Sequence, residues 1–166
     1  MNAPRVAITA LSLSAAGLVG IALHEGYTDK AVTPLPGDVP TVGFGTTTRP
    51  DGSPVRMGDT VTPPQALARA LSDVQKFEGA LKQCVKVPLH QHEYDAFLSF
   101  AYNVGAASFC NSTMAKKLNA QDYAGACSEF SRWTFFQGKD CKDPANRCAG
   151  LVMRRTEERK KCEGRS

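Results

Sequence analysis

Glu25 follows an apolar run and is followed at once by Gly26, so its carboxyl stands where an apolar helix would give way to an irregular loop. A carboxylate beside apolar surface is poorly solvated, which raises its pKa and suits it to donate a proton near neutral pH. Cleavage of a glycosidic bond needs such an acid and a second polar group across the bond. In inverting enzymes that second group holds a water on the far face of the sugar. Asp38 and Thr41, at the mouth of a short alternating stretch, could serve. On residue types alone, the commoner reading of a glutamate such as Glu25 is a solvated helix end.

The elements that must position these groups read as follows. Residues 6–23 are uncharged, and Arg5 precedes them. As a helix they would span roughly 27 Å, just short of a ~30 Å hydrocarbon core. Ten of the 18 are Ala, Gly, Ser or Thr, so insertion is weak and the helix could also leave a membrane. The run continues past the small residues Ser14-Ala15-Ala16 without the polar stretch that follows a signal-peptide cleavage site, which favours an uncleaved anchor. Beyond Glu25 the chain is rich in Thr, Pro and Gly up to Thr62. Its alternating residues 41–46 and the turn at residues 49–54 predict a small hairpin or three-strand sheet, the only β-like region. Thr62-Pro63-Pro64-Gln65 combines an N-cap, proline at the first helical position and a capping-box glutamine, so a helix runs to about Gln83. Helices are expected over residues 93–104, 112–118, 121–133 and 146–162. This is an α+β layout, a small β-sheet lobe and a larger helical lobe with a cleft between.

Composition narrows the class. The 166 residues are 42% apolar and 22% charged, enough for a core and too apolar for disorder. The formal net charge of +4 resides wholly in residues 84–166, which hold thirteen basic and nine acidic side chains. Such a bias suits an anionic polymer or surface, or a solvated helix face in which acidic and basic residues alternate. Cys84, Cys110, Cys127, Cys141, Cys148 and Cys162 lie in the same half, with no C-x2-C spacing for zinc, so three disulfides in an oxidising compartment are expected. Cys141 and Cys148 flank a short loop and pair locally; Cys127 with Cys162 and Cys84 with Cys110 is one completion among those that six cysteines allow.

His24-Glu25-Gly26, followed by Pro40-Thr41-Val42-Gly43-Phe44-Gly45-Thr46-Thr47, resembles the catalytic signature of the phage lysozymes of glycoside hydrolase family twenty-four. Three later blocks agree: residues 99–105, Gly125-Ala126-Cys127 running into Ser131-Arg132-Trp133, and Gly150-Leu151 followed by Arg154-Arg155 and Glu158. The resemblance extends over about residues 20–163 and is nearest to the endolysins with a signal-arrest-release segment. It implies a lysozyme-like fold and a muramidase that cuts the β-1,4 bond between N-acetylmuramic acid and N-acetylglucosamine. Residues 1–24 would be a weak membrane anchor that joins the soluble domain on release, and residues 25–166 the catalytic domain. The protein would be exported, tethered in the host inner membrane and then periplasmic. Peptidoglycan is the implied substrate, with no metal, organic cofactor or nucleic acid, and a monomer is expected.

By the same resemblance Glu25 matches the glutamate that protonates the leaving oxygen, and Thr41 the threonine that helps hold the attacking water. The family's aspartate has no direct counterpart, since Pro34 stands nine residues after Glu25 and Leu35 six before Thr41. Asp38 is the first candidate for that role and Asp29 the second. Phe44, Tyr102 and Asn103 are candidates for sugar contact, and Phe135 and Phe136 could stack on pyranose rings, though packing explains each aromatic equally. Trp133 reads as core. His90 and His92 could be taken for metal ligands, but at a helix start they should splay apart. A lytic transglycosylase, and a tethered module that binds wall glycan without cutting it, are the alternatives.

Overall fold

The apolar N-terminal run does not form one helix. In the computed structural model, which describes residues 4–165, α1 spans Ala15–Glu25, 11 residues. The first three residues of the expected anchor and the last residue of the expected catalytic domain lie outside the described part. The expected helix over residues 6–23 is corrected to this shorter one, and the reason lies just upstream of it. Ser14 accepts the Gly17 amide at 2.9 Å and donates its own hydroxyl to Asp95, which also takes the Ser14 amide at 3.1 Å. The Leu13 amide donates to Glu78 at 2.7 Å. Serine favours this capping arrangement over a helix interior. Before it, Val6 and Leu89 exchange backbone bonds of 2.9 Å, Ile8–Ala10 makes a single 3-10 turn, and Ile8 and Leu11 are buried. Arg5 forks onto Glu93, with Nη2 to Oε1 at 2.7 Å and Nε to Oε2 at 2.9 Å.

The chain divides into two units, one of residues up to Gly17 and from Phe77 onward, the other of Leu18–Lys76. In the second, β1 (Thr28–Val32) pairs antiparallel with β2 (Thr41–Gly43), Thr28 opposite Gly43 and Val32 opposite Thr41. The small sheet expected between Glu25 and Thr62 is thus formed by β1 and β2; the segment near Thr60 joins β1 through a Lys30–Thr60 bridge, the Ala31 amide donating to Asp59 O at 2.8 Å and the Val61 amide to Asp29 O at 2.9 Å, and further isolated bridges link Val42 to Thr46 and Thr48 to Pro54. Ala31, Val42, Val55, Val61 and Ala66 form the core of this unit, with Phe44 packed against it. Asp59 ties the loop together, accepting Arg49 Nε and Nη2 at 2.7 and 2.6 Å and the Arg56 amide at 2.9 Å. Helix α2 (Pro63–Cys84) starts as its sequence predicts, with the Thr62 amide donating to Gln65 Oε1 at 3.1 Å.

The other unit is built on α3 (Gln91–Val104), whose residues from Glu93 to Ala101 are all buried. Around it lie α4 (Ala106–Cys110), α5 (Thr113–Asn119), α6 (Tyr123–Glu129) and α7 (Ala149–Cys162). The expected helix over residues 121–133 ends early, passing into a 3-10 turn at Phe130–Arg132. Phe97 stacks on Phe130 at 5.8 Å between ring centres, and Phe100 meets Phe130 and Trp133 edge-on at 5.3 and 5.0 Å. A second two-strand sheet, β3 (Phe135–Phe136) with β4 (Lys139–Asp140), corrects the expectation of a single β region. Gln137 and Gly138 both have positive φ, 50° and 76°, as the two-residue turn of such a hairpin requires. Cys84–Cys110, Cys127–Cys162 and Cys141–Cys148 are bridged, the three pairings expected.

The Arg49 guanidinium and the Arg56 amide hold the Asp59 pKa at about 2, below its ordinary 3.8. Because the folded value is the depressed one, the stabilisation from this fork is complete above about pH 4 and is lost as pH falls through about 2. In a carboxyl-carbon NMR titration Asp59 should show a midpoint near 2, and Arg49→Ala should move it back toward 3.8. An unmoved midpoint in the variant would refute the assignment of the shift to Arg49.

Candidate active site

Glu25 is the last residue of α1, and Gly26 ends the helix there. Gly26 has φ 71°, a left-handed conformation that costs glycine little, and its amide donates to Ala22 O at 3.1 Å as a helix stop. The half-buried Glu25 carboxylate lies against Gly45: a β-carbon built at Gly45 would sit 3.3 Å from Glu25 Oε2. Gly45, at φ 82°, belongs to a tight turn in which Val42 and Thr46 exchange backbone bonds of 3.0 and 3.1 Å. Thr46 is buried and donates its hydroxyl to Asp73 Oδ2 at 3.0 Å, which fastens the turn to α2. The Tyr27 hydroxyl donates to Val61 O at 2.9 Å, and its ring lies 5.5 Å from that of Phe44.

Thr41 opens β2, the strand that leads into this turn. It is half-buried, and its hydroxyl donates a long bond of 3.5 Å to Val32 O. A hydroxyl that donates keeps its lone pairs as acceptors. Asp38 is exposed and closes a turn with Leu35, its amide donating to Leu35 O at 3.0 Å. Pro36 and Gly37, the latter at φ 91°, occupy the positions a type II turn reserves for them. Asp29 is also exposed, on β1, and its carbonyl accepts the Val61 amide at 2.9 Å. The two candidate aspartates thus occupy different elements, one a loop turn and the other a strand.

Tyr102 and Asn103 lie in the last turn of α3. Tyr102 is half-buried and edge-on to Phe77 at 5.1 Å. Asn103 is exposed, and its Oδ1 accepts from Arg155 Nη2. Arg155, only 2% exposed, also donates through Nε to Trp133 O at 3.1 Å and through Nη1 to Glu158, with its guanidinium 4.7 Å above the Phe100 ring. Glu158 further accepts Ser99 Oγ at 2.9 Å and Arg154 Nε at 3.2 Å. Burial pulls the Arg155 pKa down, opposed by Glu158. The holder of Asn103 was missed from sequence. The signal for it in the sequence is the Arg154-Arg155 and Glu158 block. Phe135 and Phe136 are exposed on β3, and Trp133 is half-buried.

His90 and His92 do not splay, which corrects that expectation. Their rings stack at 5.2 Å with 21° between planes, because His90 precedes α3 in extended conformation and escapes the helical rotation. His92 Nδ1 lies 3.0 Å from Lys161 O. Among the described residues no group of three or more His, Cys, Asp or Glu could hold a metal ion.

The family model described as phage lysozyme matches residues 22–158. The chain is 36% identical over 149 residues to an endolysin of Acyrthosiphon pisum secondary endosymbiont phage 1, covering 90% of this chain and 96% of that one. It is 34% identical over 148 residues to a SAR-endolysin of Pseudomonas phage phiKMV, covering 89% and 86%. The solved endolysin from Escherichia coli O157:H7 phage FAHEc1 superposes with a TM-score of 0.80 at 35% identity, covering 92% of this chain and 94% of that one. With matches of this extent across both units, the chain belongs to the phage lysozyme family.

Proposed function

We propose that this chain is a phage endolysin, a muramidase that hydrolyses the β-1,4 bond between N-acetylmuramic acid and N-acetylglucosamine and so lyses the host cell. The observation that carries the reading is the carboxylate of Glu25, seated against Gly45 at the end of α1 within the segment the family model matches. In the proposed step the protonated Glu25 gives its proton to the glycosidic oxygen as the bond to the anomeric carbon breaks. Water adds to that carbon, oriented by the lone pairs of Thr41, and its proton passes to a carboxylate, Asp38 in the first instance and Asp29 in the second. Phe44, Tyr102 and Asn103 are the proposed glycan contacts.

Glu25→Gln keeps the shape of the side chain and removes the proton. It should leave the thermal midpoint unchanged and abolish the loss of turbidity of permeabilised Gram-negative cells; clearing at the unsubstituted rate would eliminate the assignment. Product analysis should find new reducing ends in step with bond cleavage, whereas anhydro ends would identify a transglycosylase. Gly45→Ala places a methyl group against Glu25 and strains a left-handed position, so clearing should slow by roughly tenfold or more. A fully active variant would mean that the seat of Glu25 is irrelevant.

The uncleaved N-terminal anchor is part of the same proposal, with the inner membrane as the first location and the periplasm as the second. Supporting it are the uncharged small-residue run and the likeness to proteins named SAR-endolysins. No helix among the described residues is long and apolar enough to cross a membrane. In the described form residues 5, 13 and 14 are held by Glu93, Glu78 and Asp95, so a membrane-spanning helix over this run would have to give up all three carboxylates. Intact mass of the protein recovered from cells should include residues before Val6, first in the membrane fraction and later in the periplasm. A mature chain starting at Gly17 would defeat the anchor.

A further inference from the structure

We infer that Arg155 is a positioning residue that turns the Asn103 amide so that its NH2 group faces outward, as a hydrogen-bond donor to an oxygen acceptor of the glycan. The inference rests on the muramidase reading above and deepens it by assigning polarity to one contact. A carboxamide presents an acceptor on one arm and two donors on the other, and the two arms have nearly the same shape, so only its partners decide which way it points. The partner here is unambiguous. A guanidinium has five N–H groups and no acceptor, so the arm of Asn103 that meets Arg155 Nη2 is Oδ1. The Nδ2 arm is then directed away from Arg155, on a residue that is itself exposed in the last turn of α3.

Arg155 has little freedom to relax this choice. Trp133 O fixes Nε, Glu158 fixes Nη1, and the face of the guanidinium lies over Phe100. Three of its contacts are therefore with buried or backbone groups, and the fourth is the carbonyl of an exposed amide. Lysine would keep a charge beside Glu158 but has neither the fork nor the plane needed to serve Trp133 and Asn103 at once. The acceptors that a glycan of acetylated amino sugars offers are acetamido carbonyls, hydroxyls and carboxylates, and an outward NH2 suits all of them.

Asn103→Asp is the informative substitution. One carboxylate oxygen can still take the bond from Arg155, so the fold is retained, but the outward arm changes from donor to acceptor. With isolated peptidoglycan as substrate, Asn103→Asp should raise KM by roughly tenfold with kcat near the unsubstituted value and the thermal midpoint unchanged or higher. Asn103→Ala should raise KM by a similar factor, which separates loss of the donor from repulsion by the new charge. Arg155→Lys should reproduce the KM increase, and the double variant Arg155→Lys with Asn103→Asp should be no worse than the weaker single variant. A purely structural role for Arg155 would lower the thermal midpoint without moving KM, and that result would overturn the inference. So would an unchanged KM for Asn103→Asp, or single effects that multiply in the double variant. Absence of any cleavage by the unsubstituted protein would instead remove the muramidase reading, and this inference with it.

Discussion

The carboxylate of Asp95 takes both the amide and the hydroxyl of Ser14, and by doing so fixes where α1 begins. Eleven residues later the left-handed Gly26 ends the helix, and Glu25 is left as its final side chain. A helix bounded at both ends cannot slide, so the register of its last residue is set. Gly17 shows how close the start is held: a β-carbon there would meet Asp95 Cγ at 2.8 Å, so this turn of helix can approach the carboxylate only without a side chain. At the other end Gly45 offers the same service to Glu25, a stretch of bare backbone on which a carboxylate can rest.

The second organising group is Glu158, buried with two arginines and a serine in the helical unit. Charges taken out of water cost more than their mutual attraction returns unless every hydrogen-bonding position is used, and removing one partner of such a group typically costs about 3–5 kcal/mol. Here Glu158 accepts from Ser99, Arg154 and Arg155, and Arg155 reaches on to Trp133 and Asn103. A cluster that reads as a solvated basic stretch in sequence is thus half interior: Arg154, Arg155 and Glu158 face inward from α7, while Thr156 and Glu157 between them are exposed.

What the sequence disclosed and what it hid follow from range. Helix α2 announces itself through Thr62, Pro63 and Gln65, and α3 through its aromatic spacing and Gly105, because these signals act within a few residues. The local Cys141–Cys148 bridge is also legible, from the short loop between its cysteines, whereas the pairings that close longer loops are not fixed by spacing. The break in the N-terminal run is not legible either, since the partners that stop the helix, Glu78 and Asp95, stand 65 and 81 residues away. Strands of two residues such as β3 and β4 carry no periodicity to detect, and β1 buries only Ala31 among its five residues. At the candidate site Glu25 and Thr41 could be picked out by type and neighbours. The seat at Gly45 depends on a backbone angle, and the difference between Asp29 and Asp38 lies in which element carries each, neither of which spacing alone conveys.

All six cysteines belong to the helical unit, and residues 18–76 contain none. Thiol chemistry therefore acts on one portion of the polypeptide only. A cell compartment that denies the chain its oxidant withholds covalent crosslinks from the part bearing Asn103 while leaving the Glu25 neighbourhood to fold by ion pairing and apolar packing. Redox state and acidity become separate handles on the same catalyst, the first gripping its helices and the second the Arg49–Asp59 clasp.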